Sequence, residues 1–296
     1  MYVPWTGLGL YGGFRGNRWL KNRIKVFKQF VIPSLMAQSS NNFVLWCSFR
    51  WEERHNPQVL ELKEWLDRIS DFKTVFTFSG VCFWDDKYPD DKARERLVDA
   101  IHGAVGQLTE VIGEAPYVLM TIQPSDDCYH SDFINQIQRV FQETDFQAVG
   151  ITKGYMMNYL TGEVSEYNPT TNPPFYTIKF PREVFIDPLK HIHYTGPYKS
   201  HEYVPDYLKY GRIDERGFLV GTHGENISTV YNHPFKGNIV DREILKDFGL
   251  YNIPPIKIDL SFRKWLLRKL PHKVQRKLRY WFGEKLYQRV YEYLRS

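Results

Sequence analysis

Two adjacent carboxylates, Asp126 and Asp127, follow an apolar run that begins at Tyr117 and is broken by Pro124. Open α/β sheets take their ligands in the crevice at the carboxyl ends of strands, and a pair at such an end is placed to meet one. Like charges side by side repel, so a divalent cation or the hydroxyls of a ribose would take up both their charge and their acceptor sites. The plainer alternative is a solvated Asp-Asp turn capping the next helix. That helix is expected from Ser131, a candidate cap, through Phe133, Ile134, Ile137, Val140 and Phe141 at helical spacing. The acidic loop is therefore held between two packed elements.

The elements around the loop alternate. A short strand at Tyr2 to Trp5 leads into a glycine-rich stretch through Gly16. A helix follows with Trp19, Leu20, Ile24, Phe27, Phe30 and Val31 on one face, continuing past Pro33 to Gln38. Phe43 to Phe49 reads as a strand, Val59 to Ile69 as a helix, Lys73 to Phe78 as a strand ending at Ser79-Gly80, and Asp90 to Ile112 as a helix. Strand and helix in alternation imply an α/β fold with a largely parallel sheet covered on both faces. Beyond Thr152 the pattern turns to short strands, prolines and histidines. The polar connection Asn168 to Pro174 has the character of a binding loop.

With 296 residues, 43% of them hydrophobic and 16% aromatic, the chain can bury a large core, and disorder is not expected. Cys47, Cys82 and Cys128 form no CxxC pair, which fits a reducing compartment better than a disulfide scaffold. The first ten residues have no cationic segment of the signal-peptide kind, and no apolar run is long enough to span a bilayer. The reading is cytoplasmic.

Several segments together resemble glycosyltransferases of the GT-A fold, close to the large inverting family 2 and to the rhamnosyltransferases. Val31-Ile-Pro-Ser-Leu-Met-Ala-Gln38 before the Phe43 strand resembles that family's "PSl..Q" helix, Ser125-Asp-Asp127 its DxD-type motif, and His223-Gly-Glu-Asn-Ile-Ser-Thr229 its late "HG.N.ST" segment. The likeness covers roughly residues 1–235 and implies an open, mostly parallel sheet flanked by helices. It further implies that Asp126 faces the donor ribose or sugar, with Thr6 and Arg50 as further donor contacts. Asp127 would ligate Mg²⁺ or Mn²⁺ bridging the donor diphosphate, with His223 as a further metal or diphosphate contact. The chain departs from the pattern at Pro124, where related families often carry Asp. It departs again at Ser48-Phe-Arg50, where an acidic residue that helps bind the base is missing. Inverting transfer needs a general base. The nearest match to the family's acidic residue at the start of a late helix is Glu202, with Asp187 and Glu225 as rivals. Each of these side chains also has a plain structural reading: His223 in a Gly-flanked turn, Arg50 at the surface, Glu202 as a first-turn carboxylate.

Charge is unevenly placed. From Arg263 to Ser296 the net charge is +9, whereas the whole chain is +5. Apolar residues Val274, Leu278, Trp281, Phe282, Leu286, Val290, Tyr293 and Leu294 make one helical stripe bordered by Lys273, Arg276, Lys277, Arg279, Lys285 and Arg289. This reads as a basic amphipathic helix for an anionic membrane surface, as a stripe that packs on the body, or, with no RNA-binding motif in support, as a single-strand binder. The expected organisation is a transferase domain over 1–250 and a basic tail over 251–296. The expected function is metal-dependent transfer of a sugar from a nucleotide-sugar donor to a glycan or lipid-linked acceptor in surface polysaccharide assembly, at the inner face of the membrane and with no nucleic-acid partner. A sugar-binding scaffold without turnover, or a metal-dependent nucleotidyltransferase, are the rival readings.

Overall fold

The computed structural model describes residues 1–5, 17–80, 103–187, 190, 201–224, 226 and 229–258. Residues 259–296 of the expected basic tail, Thr6, Glu225, Cys82 and the first part of the Asp90 helix lie outside them.

The amino-terminal half follows the alternation read from the sequence. Strand β1 (Tyr2–Pro4) lies between β2 (Val44–Arg50) and the end of β4 (Tyr117–Thr121), with β3 (Lys73–Gly80) beyond β2. All four run parallel, β1 meeting the β4 segment through a Tyr2–Ile122 bridge. Residues of β1 and β2 alternate between two cores: Val3, Leu45 and Cys47 face one, Tyr2 and Trp46 the other. That period of two is why each strand buries both faces. Helix α1 (Asn17–Val26) buries Trp19, Leu20 and Ile24 in the first core. It continues through a π turn (Phe27–Val31) into α2 (Ile32–Met36). Pro33 lacks an amide hydrogen and crowds the preceding turn, and a widened turn just before it relieves that crowding without ending the helix. Helix α3 (Pro57–Ile69) starts on an Asn56 cap that accepts from the Gln58 amide.

The carboxyl-terminal half departs from the expectation of a largely parallel sheet. Strand β8 (Tyr176–Pro181) runs antiparallel to β4 and to β6 (Ala148–Asn158), and β7 (Val164–Tyr167) runs antiparallel to β6. Only β9 (Tyr210–Thr222) lies parallel to β6. The five residues from Tyr159 to Glu163, with Gly162 at φ 80°, form a tight reversal. A parallel neighbour would need a crossover of about a dozen residues. These strands are not short either, β6 and β9 having 11 and 13 residues. Strands β5 (Cys128–Tyr129) and β10 (Lys236–Val240) complete the sheet on β9 and β7.

Helix α5 (Phe133–Glu143) buries Phe133, Ile134, Ile137 and Phe141 as its spacing predicts, but its cap position is Asp132, one residue beyond Ser131. The Ser131 amide is spent on the Asp247 carbonyl, while the Asp132 carboxylate takes the Ser39 hydroxyl and the Asn135 amide. The body also runs past residue 250: Ile256 is buried in the first core, and its amide donates to the Tyr159 carbonyl at 2.7 Å. No described helix is long and apolar enough to cross a membrane. Cys47 and Cys128 are free and buried, and burial pushes each thiol up to about 12.

Gly106 is exposed in the helical residues 103–112, and a Cβ there would meet nothing within 4 Å. Gly106→Ala is therefore expected to stabilise by about 0.5–1 kcal/mol, read as a higher urea midpoint at unchanged slope.

Candidate functional site

The carboxyl ends of β1 to β4 share one edge of the sheet, and the acidic loop leaves from the last of them. Three contacts fix its course. Buried Gln123 donates from Nε2 to the carbonyls of Pro124 (2.9 Å) and Asp127 (2.8 Å), folding the loop on itself. The Tyr159 hydroxyl donates to the Asp126 carbonyl at 2.9 Å, with its ring stacked on Phe30 at a centroid distance of 3.7 Å. Behind the loop, the Ser34 hydroxyl donates to the Tyr129 carbonyl and Gln38 bonds both the His130 carbonyl and the Ile134 amide. The serine and glutamine of the Pro33–Gln38 segment thus brace the chain that follows the acid pair.

The two carboxylates point into different surroundings. Asp126 Oδ2 is met by Arg23 Nη1 in a buried ion pair, by His223 Nε2 at 3.2 Å and by Asn226 Nδ2 at 2.9 Å. Arg23 and His223 come within 3.4 Å of each other because both aim at that one oxygen. Asn226 is held by its own turn: its Oδ1 accepts from the His223 and Gly224 amides, its Nδ2 also donates to the Gly221 carbonyl, and Gly224 has φ 75°. Asp127 accepts from the Gly221 amide at 2.9 Å. The end of β4 and the end of β9 are therefore joined through this pair.

Electrostatics separate the two acids. Burial alone would raise Asp126, but the Arg23 charge and the His223 hydrogen bond outweigh it and hold the carboxyl at about 2. Asp127 is pushed well above the usual carboxylate range, by burial first and by the negative Asp126 second. An acid whose native value is raised favours the folded state at low pH, and that contribution is lost as pH rises through the native value. Asp127→Asn keeps an acceptor for the Gly221 amide and removes the titration. The variant is expected to melt above the wild type at neutral pH, with the difference shrinking toward pH 4. A pH-independent difference in melting temperature would contradict this.

The donor set is ill suited to the Mg²⁺ or Mn²⁺ that the resemblance implies. A ring nitrogen facing a carboxylate oxygen carries the proton, so His223 Nε2 offers no lone pair there. Asn226 likewise turns its N–H toward Asp126, and one Asp127 oxygen is engaged by Gly221. A divalent ion on Asp126 would stand beside the Arg23 guanidinium, where unit charges 4 Å apart repel by about 4 kcal/mol at an effective dielectric of ~20. Among the described residues, no three His, Cys, Asp or Glu side chains converge as a metal site. As arranged, these residues fit a cation supplied by the protein, Arg23, and not a resident metal ion.

The other expected residues fall elsewhere. Arg50 ends β2 on the same edge, its amide bonded to Glu53 Oε2 at 3.2 Å. Glu202 is exposed in the turn His201–Tyr203, which is tied to Asn172, while the adjoining Val204 packs in the second core. The acid pair lies against Tyr159 and Cys128 of the first core. Asp187 is engaged with Lys190 and follows β8, whose end pairs with the start of β4. A cleft of about 1010 Å³ opens among Met1, Val44, Lys73 and Tyr117, at the opposite, amino-terminal ends of the strands.

The site is thus a parallel α/β edge whose acidic loop closes on a late His-Gly-x-Asn turn. The chain belongs to the family described as "Putative rhamnosyl transferase", whose model matches residues 15–177. No curated protein matches. Among solved structures, S. aureus TarS 1-349 in complex with UDP is 14% identical with a TM-score of 0.36, the alignment covering 68% of this chain and 58% of that one. Its complex with UDP-GlcNAc gives 13%, 0.36, 81% and 65%. The chain thus spans less than two thirds of the length of these structures.

Proposed function

We propose that this chain transfers a sugar from a nucleoside diphosphate donor to a hydroxyl of a glycan or lipid-linked acceptor, with the donor seated along the carboxyl edge of β1 to β4. The observation that carries the reading is the joining of the acid pair after β4 to the His223–Asn226 turn after β9, in a chain of a rhamnosyl transferase family. In the reaction the acceptor oxygen forms a bond to the anomeric carbon as the bond from that carbon to the diphosphate breaks. The acceptor proton passes to water, and negative charge grows on the leaving nucleoside diphosphate. A fixed positive group beside the diphosphate lowers that barrier because it requires no reorganisation as charge develops. The transfer is proposed to be a single displacement with inversion, which the anomeric configuration of the product would test. The basic stripe from Lys273 to Arg289 supports a place at an anionic membrane, where a lipid-linked acceptor would be met.

A thermal-shift screen of UDP, dTDP and GDP and their sugars tests the donor site, since a ligand of the native state raises its stability by mass action. One nucleotide raising the melting temperature of the wild type and not of Asp127→Ala is the expected result. No shift with any of them would sink the proposal.

A further inference from the structure

We propose that Arg23 is the resident cation of this donor site, so that nucleotide binding does not require a divalent metal. The inference deepens the donor reading above and rests on it. Arg23 projects from the apolar stripe of α1, 5% exposed, with its guanidinium carbon 5.3 Å from the centre of the Trp19 ring. Its Nη1 holds Asp126, and its Nε is buried with no hydrogen-bond partner among the described residues, so Asp126 does not exhaust its donors. An arginine buried on a core-facing stripe needs compensation. Here that compensation is the acid at which the DxD-type resemblance would seat a donor contact beside its metal. The three groups around Asp126 Oδ2 all present N–H, the coordination of an anion and not of a metal ligand. A diphosphate seated beside Asp126 would lie next to a planar cation whose donors Asp126 does not exhaust, a group suited to phosphate oxygens.

Two measurements on the full chain test this. The first is the free Mn²⁺ signal by electron paramagnetic resonance, titrated against nucleotide-free protein. Unchanged free Mn²⁺ is expected, and stoichiometric loss of the signal would overturn the proposal even if no nucleotide is ever found to bind. The second is the thermal shift with UDP or dTDP in EDTA and in Mn²⁺. Equal shifts are expected, and a shift that appears only with Mn²⁺ would overturn the proposal. Arg23→Gln should weaken nucleotide binding about 10- to 100-fold in EDTA, the loss of one or two charge-assisted bonds. It should also make binding respond to Mn²⁺, because Asp126 is then released. Arg23→Gln combined with Asp126→Asn, which leaves no buried unpaired charge, should lose the response to Mn²⁺. A purely structural arginine would give a weaker protein with no gain of metal response. Absence of any nucleotide shift in the wild type would fail the donor reading, leaving the Mn²⁺ titration to decide the role of Arg23 separately.

Discussion

Asp126→Ala is expected to lower stability by about 3–5 kcal/mol, because it strands a buried guanidinium. The carboxylate satisfies Arg23, His223 and Asn226 at once, so its removal leaves three donors in a site with little access to water. For a body of this size that corresponds to a fall of roughly 6–20 °C in melting temperature, and it is a large share of a typical folding free energy of about 5–15 kcal/mol. The control is a double substitution. Arg23→Met with Asp126→Leu replaces the pair by apolar groups of similar volume, a change often neutral or stabilising for buried ion pairs. It should therefore recover most of the lost stability, short of the part owed to the His223 and Asn226 donors, while sugar transfer stays absent. Loss of transfer in a stable double variant would separate the chemistry of the pair from its structural contribution. A cost below about 1 kcal/mol for Asp126→Ala would put the pair in the class of exposed ion pairs and contradict its burial.

How far the sequence discloses this site depends on the physical origin of each contact. The α5 stripe and the strands β2 and β3 were legible because burial imposes a period, and a period is visible in one chain. The parallel first half followed from alternation. The change of character beyond Thr152 is visible, but the reversal at Gly162 and the pairing of β8 against both β4 and β6 have no local signature beyond a glycine, so strand direction there is not legible. Past residue 250 the Pro254 carbonyl accepts from Gln29 and Ile256 sits in the core, contacts made by packing across the chain and so without a local signature.

At the site, the acid pair was visible through its position after a strand, but its partners are distant in sequence. Arg23 is 103 residues from Asp126 in number, and the two meet only through the packing of α1. One signal for it did exist: an arginine at helical spacing between Trp19, Leu20 and Phe27 interrupts an otherwise apolar stripe, and buried arginines are rare unless paired. Asn226 lay within the His223–Thr229 segment without being distinguished from its neighbours. Its role comes from a turn in which one side of the amide is spent on backbone, leaving the other for Asp126. The order of a motif along the chain carries no distance: Val204, two residues after Glu202, packs in the second core, whereas the acid pair borders the first.

Gly221→Ala should cost at least 100-fold in transfer, more than any loss of stability alone would explain. A methyl at Gly221 would be built within bonding range of the Asp126 carbonyl oxygen and of the Tyr159 ring, neither of which has room to give. The carbonyl belongs to the acidic loop and is fixed by the Tyr159 hydroxyl, and that ring is stacked on Phe30, so neither is the free end of a flexible chain. Relief must come from moving the loop by about 1 Å, and a misplacement of that size can remove ~10²-fold from a positioned reaction. Overpacking itself costs about 1–3 kcal/mol, which leaves a folded protein to assay. The Gly221 amide would still be present, so the defect is one of placement and not of a missing donor. Gly106→Ala is the matched control for adding one methyl where space is open. Normal transfer by a folded Gly221→Ala variant would mean that the joint between β9 and the acidic loop does not position the reacting groups.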